Sequence, residues 1–116
     1  MTLDQAYDQG IAPWDKMNVV IRLPGAVVYQ DAFPVANGHL LFVPHDDTVS
    51  SITNAFNEAC SFHKVSESAN IGINLGTAAG QTVMYPHIHY IPRVLGDVEN
   101  PRGGIRNVIP GCGDYK

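Results

Sequence analysis

Short apolar segments bounded by turn residues occupy the first part of the chain and predict antiparallel β-structure. Residues 18–22 and 27–30 are strand candidates on either side of a turn at 23–26, where proline and glycine occupy type II positions. Two strands joined in this way predict a β-hairpin. A third strand, of the fully buried type, is predicted at 39–43, and a proline follows it.

Two further segments have helical patterns. Thr2 and Gln5 have the spacing of a capping box, and Gly10 is placed to end the short helix that this box would start. Between about 50 and 66, apolar residues recur at helical spacing and predict the main helix, with the two preceding aspartates in its first turn. Its expected buried stripe consists of Ile52, Ala55, Phe56, Ala59, Cys60 and His63.

The second half of the chain is organised around residues 80–93, most of which have the composition of a strand. A strand at 70–75 and a loop of small residues at 76–80 precede this stretch. Side chains alternate along a strand, so His87 and His89 are expected on one face. Two adjacent imidazoles suit either of two chemistries: they hold a metal ion, or they act on an anionic centre such as a phosphate.

Composition narrows the class of protein. The 116 residues fit one domain, 1–116, and 45% apolar with 16% charged residues indicates a globular chain. The formal charge of −4 argues against a nucleic-acid-binding protein, and the two isolated cysteines indicate no disulfide framework. The first ten residues are polar and acidic, unlike a signal peptide, and no apolar run has membrane-spanning length. We therefore expect a cytoplasmic protein without a membrane partner.

Three segments of the chain share the features of one known family. The stretch GQTVMYPHIHYIPR is similar to the signature His-φ-His-φ-His-φ-φ, in which φ is apolar and Gly-Gln-Ser/Thr precedes the histidines. With FPVANGHLLFVP upstream and GDVENPRGGIRNVIP downstream, the chain resembles the histidine triad (HIT) proteins over about residues 27–115. In this comparison Tyr85 stands at the first triad position, and His87 and His89 stand at the second and third.

The resemblance implies a fold and an activity. The implied fold is α+β and HIT-like: an antiparallel sheet of about five strands with one main helix and a short N-terminal helix. The implied function is hydrolysis or transfer of nucleotidyl groups, with purine nucleotides as expected substrates, through a nucleotidyl-histidine intermediate. HIT proteins are commonly homodimers, so we expect a two-fold homodimer. No resident metal or other cofactor is expected, and Mg²⁺ would enter only with a polyphosphate substrate.

The catalytic roles that the resemblance implies fall on the central stretch. His87 matches the nucleophile, which attacks the α-phosphorus of a nucleotide. His89 matches the histidine that orients the nucleophile and contacts phosphate. Gln81 and Thr82 match the pair beside the leaving group, to which the Thr82 hydroxyl would donate a hydrogen bond. Each of these residues stands at the matching position of the signature.

The substrate-binding roles that the resemblance implies are spread over more of the chain. Asp31 matches an acid that binds ribose hydroxyls, and His39 matches a further histidine lining the phosphate site. Asn74 matches an asparagine that contacts the phosphate region. Tyr85 is expected in the site as well, where its hydroxyl can donate a hydrogen bond but cannot become cationic at neutral pH.

Two other functions remain open on the sequence alone. Because Tyr85 replaces the first histidine, the chain is alternatively a nucleotide-binding module with weak turnover. The second alternative is a metal enzyme in which His39, His87 and His89 are ligands. The next acid after His89 is Asp97, which disfavours a carboxylate ligand close by and weakens the metal hypothesis.

Overall fold

The computed structural model describes residues 1–114 and contains a five-stranded antiparallel sheet. The strands are β1 (Val19–Leu23), β2 (Ala26–Gln30), β3 (Leu40–Val43), β4 (Ser68–Gly72) and β5 (Ile88–Arg93). Their order across the sheet is β1-β2-β3-β5-β4, and the α-helices are α1 (Leu3–Asp8) and α2 (Val49–Phe62). The expected α+β, HIT-like fold with one main helix and a short N-terminal helix is confirmed.

The two faces of the sheet carry separate apolar layers. On one face, α2 packs through its two buried alanines onto a layer made of Ala26, Val28, Leu40, Phe42, Ile88 and Tyr90. On the opposite face, α1 and the segment after it pack onto a second layer. That layer contains Leu3, Ala6, Ala12, Val27, Tyr29, Leu41, Val43 and Tyr85. Because α1 covers only part of its face, the rest of that face is available for a site.

Helix α2 differs from its predicted form. It begins after the N-cap Thr48 and ends at Phe62, so neither preceding aspartate lies in its first turn. Ala55 and Ala59 are fully buried, whereas Phe56 is 36% exposed and Cys60 is exposed. Successive residues of an α-helix point in directions about 100° apart. When Ala55 and Ala59 face the sheet, Phe56 and Cys60, which follow them, therefore point toward solvent. The predicted buried stripe was therefore too wide.

The central stretch is a strand only over its second half. The hairpin strands β1 and β2 lie within one residue of their predicted bounds, but β5 begins at Ile88 rather than near residue 81. Tyr85, Pro86 and His87 form the entrance to the strand and have no ladder partner. Within residues 1–114, each helix is too short or too polar to traverse a bilayer.

Candidate active site

A cleft of about 410 Å³ opens on the sheet face that carries α1. It lies between the segment after α1, the end of β2 and the loop that precedes β5. Its walls include Trp14, Asp31, Phe33, Leu41, Asn74, Gln81, Thr82, His87 and His89. Six of the eight residues predicted for the site therefore line one cleft. His39 lies directly behind them, and Tyr85 does not reach the cleft.

The His87 ring is oriented by a backbone carbonyl two residues earlier in the chain. Its Nδ1 lies 2.9 Å from the Tyr85 carbonyl oxygen. A carbonyl oxygen can only accept, so Nδ1 carries a proton, and in the neutral imidazole the lone pair is on Nε2. The Trp14 ring lies edge-on to the imidazole at 5.2 Å between centroids and limits how it can turn. The site thus presents an oriented, unprotonated imidazole nitrogen, which is the form needed for nucleophilic attack.

A second set of hydrogen bonds determines which ring nitrogen carries the proton in His39 and His89. The Val35 N–H donates to Nδ1 of His39, which therefore carries its proton on Nε2. That nitrogen lies 3.0 Å from Nδ1 of His89 and 3.3 Å from a carboxylate oxygen of Asp31. When His39 donates to His89, the His89 proton is placed on its own Nε2. His89 is then a neutral hydrogen-bond donor beside His87.

Burial keeps these two histidines neutral. Burial lowers the pKa of His39 below its ordinary value, although the Asp31 carboxylate opposes this effect. Burial also lowers the pKa of His89, and the neighbouring imidazoles of His87 and His39 lower it further. Neutral imidazoles can donate to a phosphate oxygen through one nitrogen while accepting through the other. The geometry therefore favours a relay of neutral hydrogen bonds.

Three of these residues lie close enough together to bind a metal ion. Asp31, His39 and His89 bring one ligand atom each within 4.8 Å of one another. A histidine that binds metal donates its other ring N–H to an acceptor. Nδ1 of His39 faces the Val35 N–H, which is a donor, so metal binding at Nε2 would break that hydrogen bond. The set therefore does not fit a resident metal ion.

The loop before β5 is held together by Gln81. Its Oε1 accepts from the Gly76 N–H at 2.8 Å, and its Nε2 donates to the Val83 and Met84 carbonyls at 3.1 Å each. The amide of Gln81 is thus engaged within the loop, and its expected role in binding substrate stays a prediction. Thr82 is exposed on the cleft wall, where its hydroxyl can meet a ligand.

Tyr85 lies in the core, contrary to the expected role in binding substrate. The residue is 1% exposed, and its hydroxyl donates to the Pro44 carbonyl at 2.6 Å. The Trp14 ring contacts its ring edge-on, with centroids 6.1 Å apart. Burial raises the pKa of the Tyr85 phenol, which stays neutral. Its side chain therefore supports the carbonyl that orients His87 rather than meeting a ligand.

Two aromatic residues of the cleft were not predicted as site residues. Trp14 is half-buried between the core and the cleft, and Phe33 is 88% exposed at the opening. Trp14 packs against Tyr29 and Tyr85 of the core and also lines the cleft. Phe33 stands two residues after Asp31, and an exposed aromatic beside a predicted ribose ligand was the signal available in the sequence.

The cleft thus contains the oriented imidazole of His87 beside that of His89, with the imidazole of His39 behind them, at the positions that the histidine triad resemblance indicated. The HIT domain matches residues 15–95, more than half of the chain, and the chain belongs to the HIT domain family. It is also similar to a bis(5'-nucleosyl)-tetraphosphatase [asymmetrical] of Schizosaccharomyces pombe, with 36% identity over 92 residues. That match covers 68% of this chain and 50% of the yeast protein, so the chain spans about half the length of this relative.

Solved structures of HIT proteins have the same fold. A zinc-bound histidine triad family protein from Mycobacterium smegmatis has a TM-score of 0.58 at 24% identity, covering 79% of this chain and 76% of that chain. The C. elegans NitFhit protein also has a TM-score of 0.58, at 28% identity. Here the match covers 78% of this chain but 25% of the larger protein.

Proposed function

We propose that this protein hydrolyses or transfers nucleotidyl groups of purine nucleotides, with His87 as the nucleophile. The observation that carries the proposal is the hydrogen bond from Nδ1 of His87 to the Tyr85 carbonyl, which places the lone pair of the neutral imidazole on Nε2. The name of the S. pombe relative supports a nucleotide polyphosphate as substrate.

The proposed first step forms a covalent intermediate. The Nε2 lone pair of His87 attacks the α-phosphorus, a nitrogen–phosphorus bond forms, and the phosphorus–oxygen bond to the leaving group breaks. The Tyr85 carbonyl stabilises the positive charge that develops on the ring, because it accepts the Nδ1 proton. The Thr82 hydroxyl donates to the departing oxygen, and Nε2–H of His89 donates to a phosphate oxygen.

The proposed second step releases the product. Water, or an acceptor alcohol in the transfer reaction, attacks the same phosphorus, and the bond to His87 breaks. The imidazole regains its lone pair and the product leaves as a nucleoside monophosphate or its ester. Asp31 would hold the ribose and Asn74 would contact the phosphate, and both residues line the cleft.

The experiment is intact-mass measurement of protein mixed with diadenosine tetraphosphate at neutral to alkaline pH, where a histidine–phosphorus bond survives. Wild-type protein should gain the mass of one adenylyl group and release nucleotide. His87→Asn should show neither, while its affinity for the nucleotide stays within about tenfold, roughly 1.4 kcal/mol. His45→Asn is the matched control, because His45 is exposed and binds the Leu23 carbonyl outside the cleft.

Equal turnover in His87→Asn and wild type would remove His87 from the mechanism. Nucleotide binding by wild-type protein without an adduct or turnover would instead support the binding-module alternative. The observation that favours this alternative is the burial of Tyr85. This residue stands at the first triad position, but its side chain lies in the core and does not reach the cleft.

We also propose that no transition metal resides in the site. The donor geometry at His39 supports this, because the Val35 N–H occupies the position that a metal-binding imidazole needs for an acceptor. Elemental analysis of protein purified without added metal should find less than stoichiometric zinc. One zinc per chain that disappears in His39→Asn would overturn the proposal.

A further inference from the structure

Trp14 reaches His87 from a segment without regular secondary structure. Residues 11–15 follow α1 and belong to neither a helix nor a strand. The Trp14 ring nevertheless packs against Tyr29, Tyr85 and His87, with centroids 5.8, 6.1 and 5.2 Å away. Connecting segments are more mobile than the elements they join, unless further contacts hold their backbone. The position of Trp14 therefore depends on whatever holds this segment.

The contact that holds the segment comes from Tyr7 in α1. The Tyr7 hydroxyl oxygen lies 3.0 Å from the Trp14 carbonyl oxygen and 2.5 Å from the Tyr29 hydroxyl oxygen. Because a carbonyl can only accept, Tyr7 donates its proton to Trp14, and Tyr29 in turn donates to Tyr7. Within the part of the chain that the structure describes, residues 12–14 make no other hydrogen bond.

Two further features keep this contact in place. Tyr29 belongs to β2 and is 1% exposed, so the series of hydroxyls begins in the rigid sheet. The Lys16 ammonium lies 4.5 Å from the centroid of the Tyr7 ring and ties the chain just after Trp14 to the same tyrosine. Burial raises the pKa of both phenols, so each keeps its proton. Hydrogen bonds in series also polarise and strengthen one another.

We propose that Tyr7 is a positioning residue of the active site, which acts through Trp14 to hold the His87 ring in its attacking orientation. The Tyr85 carbonyl holds this ring at Nδ1, and the Trp14 ring, inclined at 65° to it, limits its rotation. Tyr7 is not among the described residues that line the cleft. Its effect on the reaction rate rests on the proposed function, whereas its effect on the positions of Trp14 and His87 does not.

The test compares tyrosine variants that each lose one hydroxyl and keep the ring. Tyr7→Phe removes the hydrogen bond to the Trp14 carbonyl. Tyr29→Phe removes only the donor to Tyr7, which can still donate to Trp14. Tyr90→Phe is the matched control, because the Tyr90 hydroxyl binds Nδ1 of His63 and belongs to the apolar layer on the opposite face of the sheet.

Three measurements are made on the same preparations. Trp14 is the only tryptophan of the chain, so acrylamide quenching of the protein fluorescence reports on this side chain alone. NMR spectra of protein with labelled histidine, assigned with His87→Asn, report on the His87 ring, whose resonances the neighbouring Trp14 ring shifts. Steady-state kinetics with diadenosine tetraphosphate give kcat and KM.

In Tyr7→Phe, quenching of Trp14 should increase and the His87 resonances should move. Because misplacing a reacting group by about 1 Å can cost about a hundredfold in rate, kcat should fall about tenfold or more, with a smaller change in KM. Tyr29→Phe should show the same changes to a smaller extent, and Tyr90→Phe should match wild type in all three measurements.

Unchanged quenching and His87 resonances in Tyr7→Phe would refute the positioning role. So would changes in both with a wild-type kcat, or equal effects of Tyr7→Phe and Tyr90→Phe. Wild-type protein that turns over no nucleotide would contradict the proposed function instead. In that case the two spectroscopic measurements still decide whether Tyr7 positions Trp14 and His87.

Discussion

The function of Tyr85 is divided between its backbone and its side chain. Its carbonyl accepts the Nδ1 proton of His87, and its hydroxyl donates to the Pro44 carbonyl in the core. The hydroxyl thus anchors the same residue whose carbonyl selects the tautomer of His87. Histidine at this position would be too short to reach Pro44 from the same backbone and would leave a void against Trp14.

Tyr85→Phe is expected to lower stability and turnover by different amounts. Losing the hydroxyl leaves the Pro44 carbonyl without this donor, which costs about 1–2 kcal/mol of unfolding free energy. Because the ring still fills the core, kcat should fall less than tenfold. Tyr85→His should be destabilised more than Tyr85→Phe. Urea unfolding and steady-state kinetics on the same preparations measure both effects, and a Tyr85→His protein as stable as wild type would contradict this role.

Acidification should destabilise the native protein through its buried histidines. In the unfolded chain, His39 and His89 titrate near 6.5, whereas burial lowers their native pKa. As pH falls from about 6.5 through the native pKa values, the unfolded state binds more protons, so the free energy of unfolding falls. Above this window both states are neutral and this contribution is constant.

His39→Asn provides the control for that pH dependence. Asparagine can keep an acceptor for the Val35 N–H but does not titrate, so its unfolding free energy should fall less between pH 7 and about 5. Asp46 and Asp97 have pKa values of about 2, held low by Thr48 and Arg93, and lose their effect only in stronger acid. If the unfolding free energy depends on pH equally in His39→Asn and wild type, His39 contributes nothing to this pH dependence.

The sequence indicated which residues come together in the candidate site but not the directions of their side chains. His87, His89 and Asp31 were named because their spacing matched a signature, and they line one cleft. The directions of Gln81 and Tyr85 depend on carbonyls and amides that the backbone presents only after folding. A motif specifies which side chains occur, whereas the hydrogen-bond partners that orient them come from elsewhere in the chain.

At the scale of elements, the loop at 76–84 and the strand entrance act as one unit. Gly76 and Gly80 have positive φ angles of 93° and 90°, and the Gln81 side-chain amide links the Gly76 N–H to the Val83 carbonyl. The loop forms one wall of the cleft and carries Thr82. Its shape therefore depends on a side chain that was expected to touch substrate.

Gln81→Leu should loosen this loop without unfolding the sheet. Removing three hydrogen bonds, each worth about 1 kcal/mol, should speed exchange of the Gly76 amide at least about tenfold. KM should rise because the cleft wall is no longer fixed. Hydrogen exchange followed by mass spectrometry measures the first effect, with Gln9→Leu as an exposed control. Unchanged exchange at 76–84 would show that the loop is held by other contacts.

Element boundaries were predicted well only where local chemistry determines them. The hairpin lies within one residue of expectation because a proline–glycine turn fixes where its strands end. The start of β5 was wrong because Tyr85–His87 have strand composition while Pro86 lacks an N–H for a ladder. At this point the His87 ring hydrogen-bonds to the Tyr85 carbonyl, and residues 85–87 have no ladder partner in the sheet.

At the scale of the molecule, the chain exposes more surface than its length predicts. Its accessible area is 7672 Å². A compact monomer of this length exposes roughly 6,200 Å². Exposed large apolar side chains are spread along the chain, and Phe56, Phe62 and Val65, on α2 and just after it, are among them. An excess of this size is comparable to what one partner contributes to a stable interface, about 800 Å² or more.

A homodimer is the corresponding prediction. If two copies cover their exposed apolar side chains, light scattering at micromolar concentration should give twice the chain mass. Phe62→Ser should weaken the dimer, because Phe62 is 50% exposed while its inner edge packs on Phe42 and Tyr90. Leu95→Ser is the matched control, since Leu95 is fully exposed and lies outside both apolar layers. Monomer alone at tens of micromolar would contradict the prediction, and the extra surface would then belong to the loops.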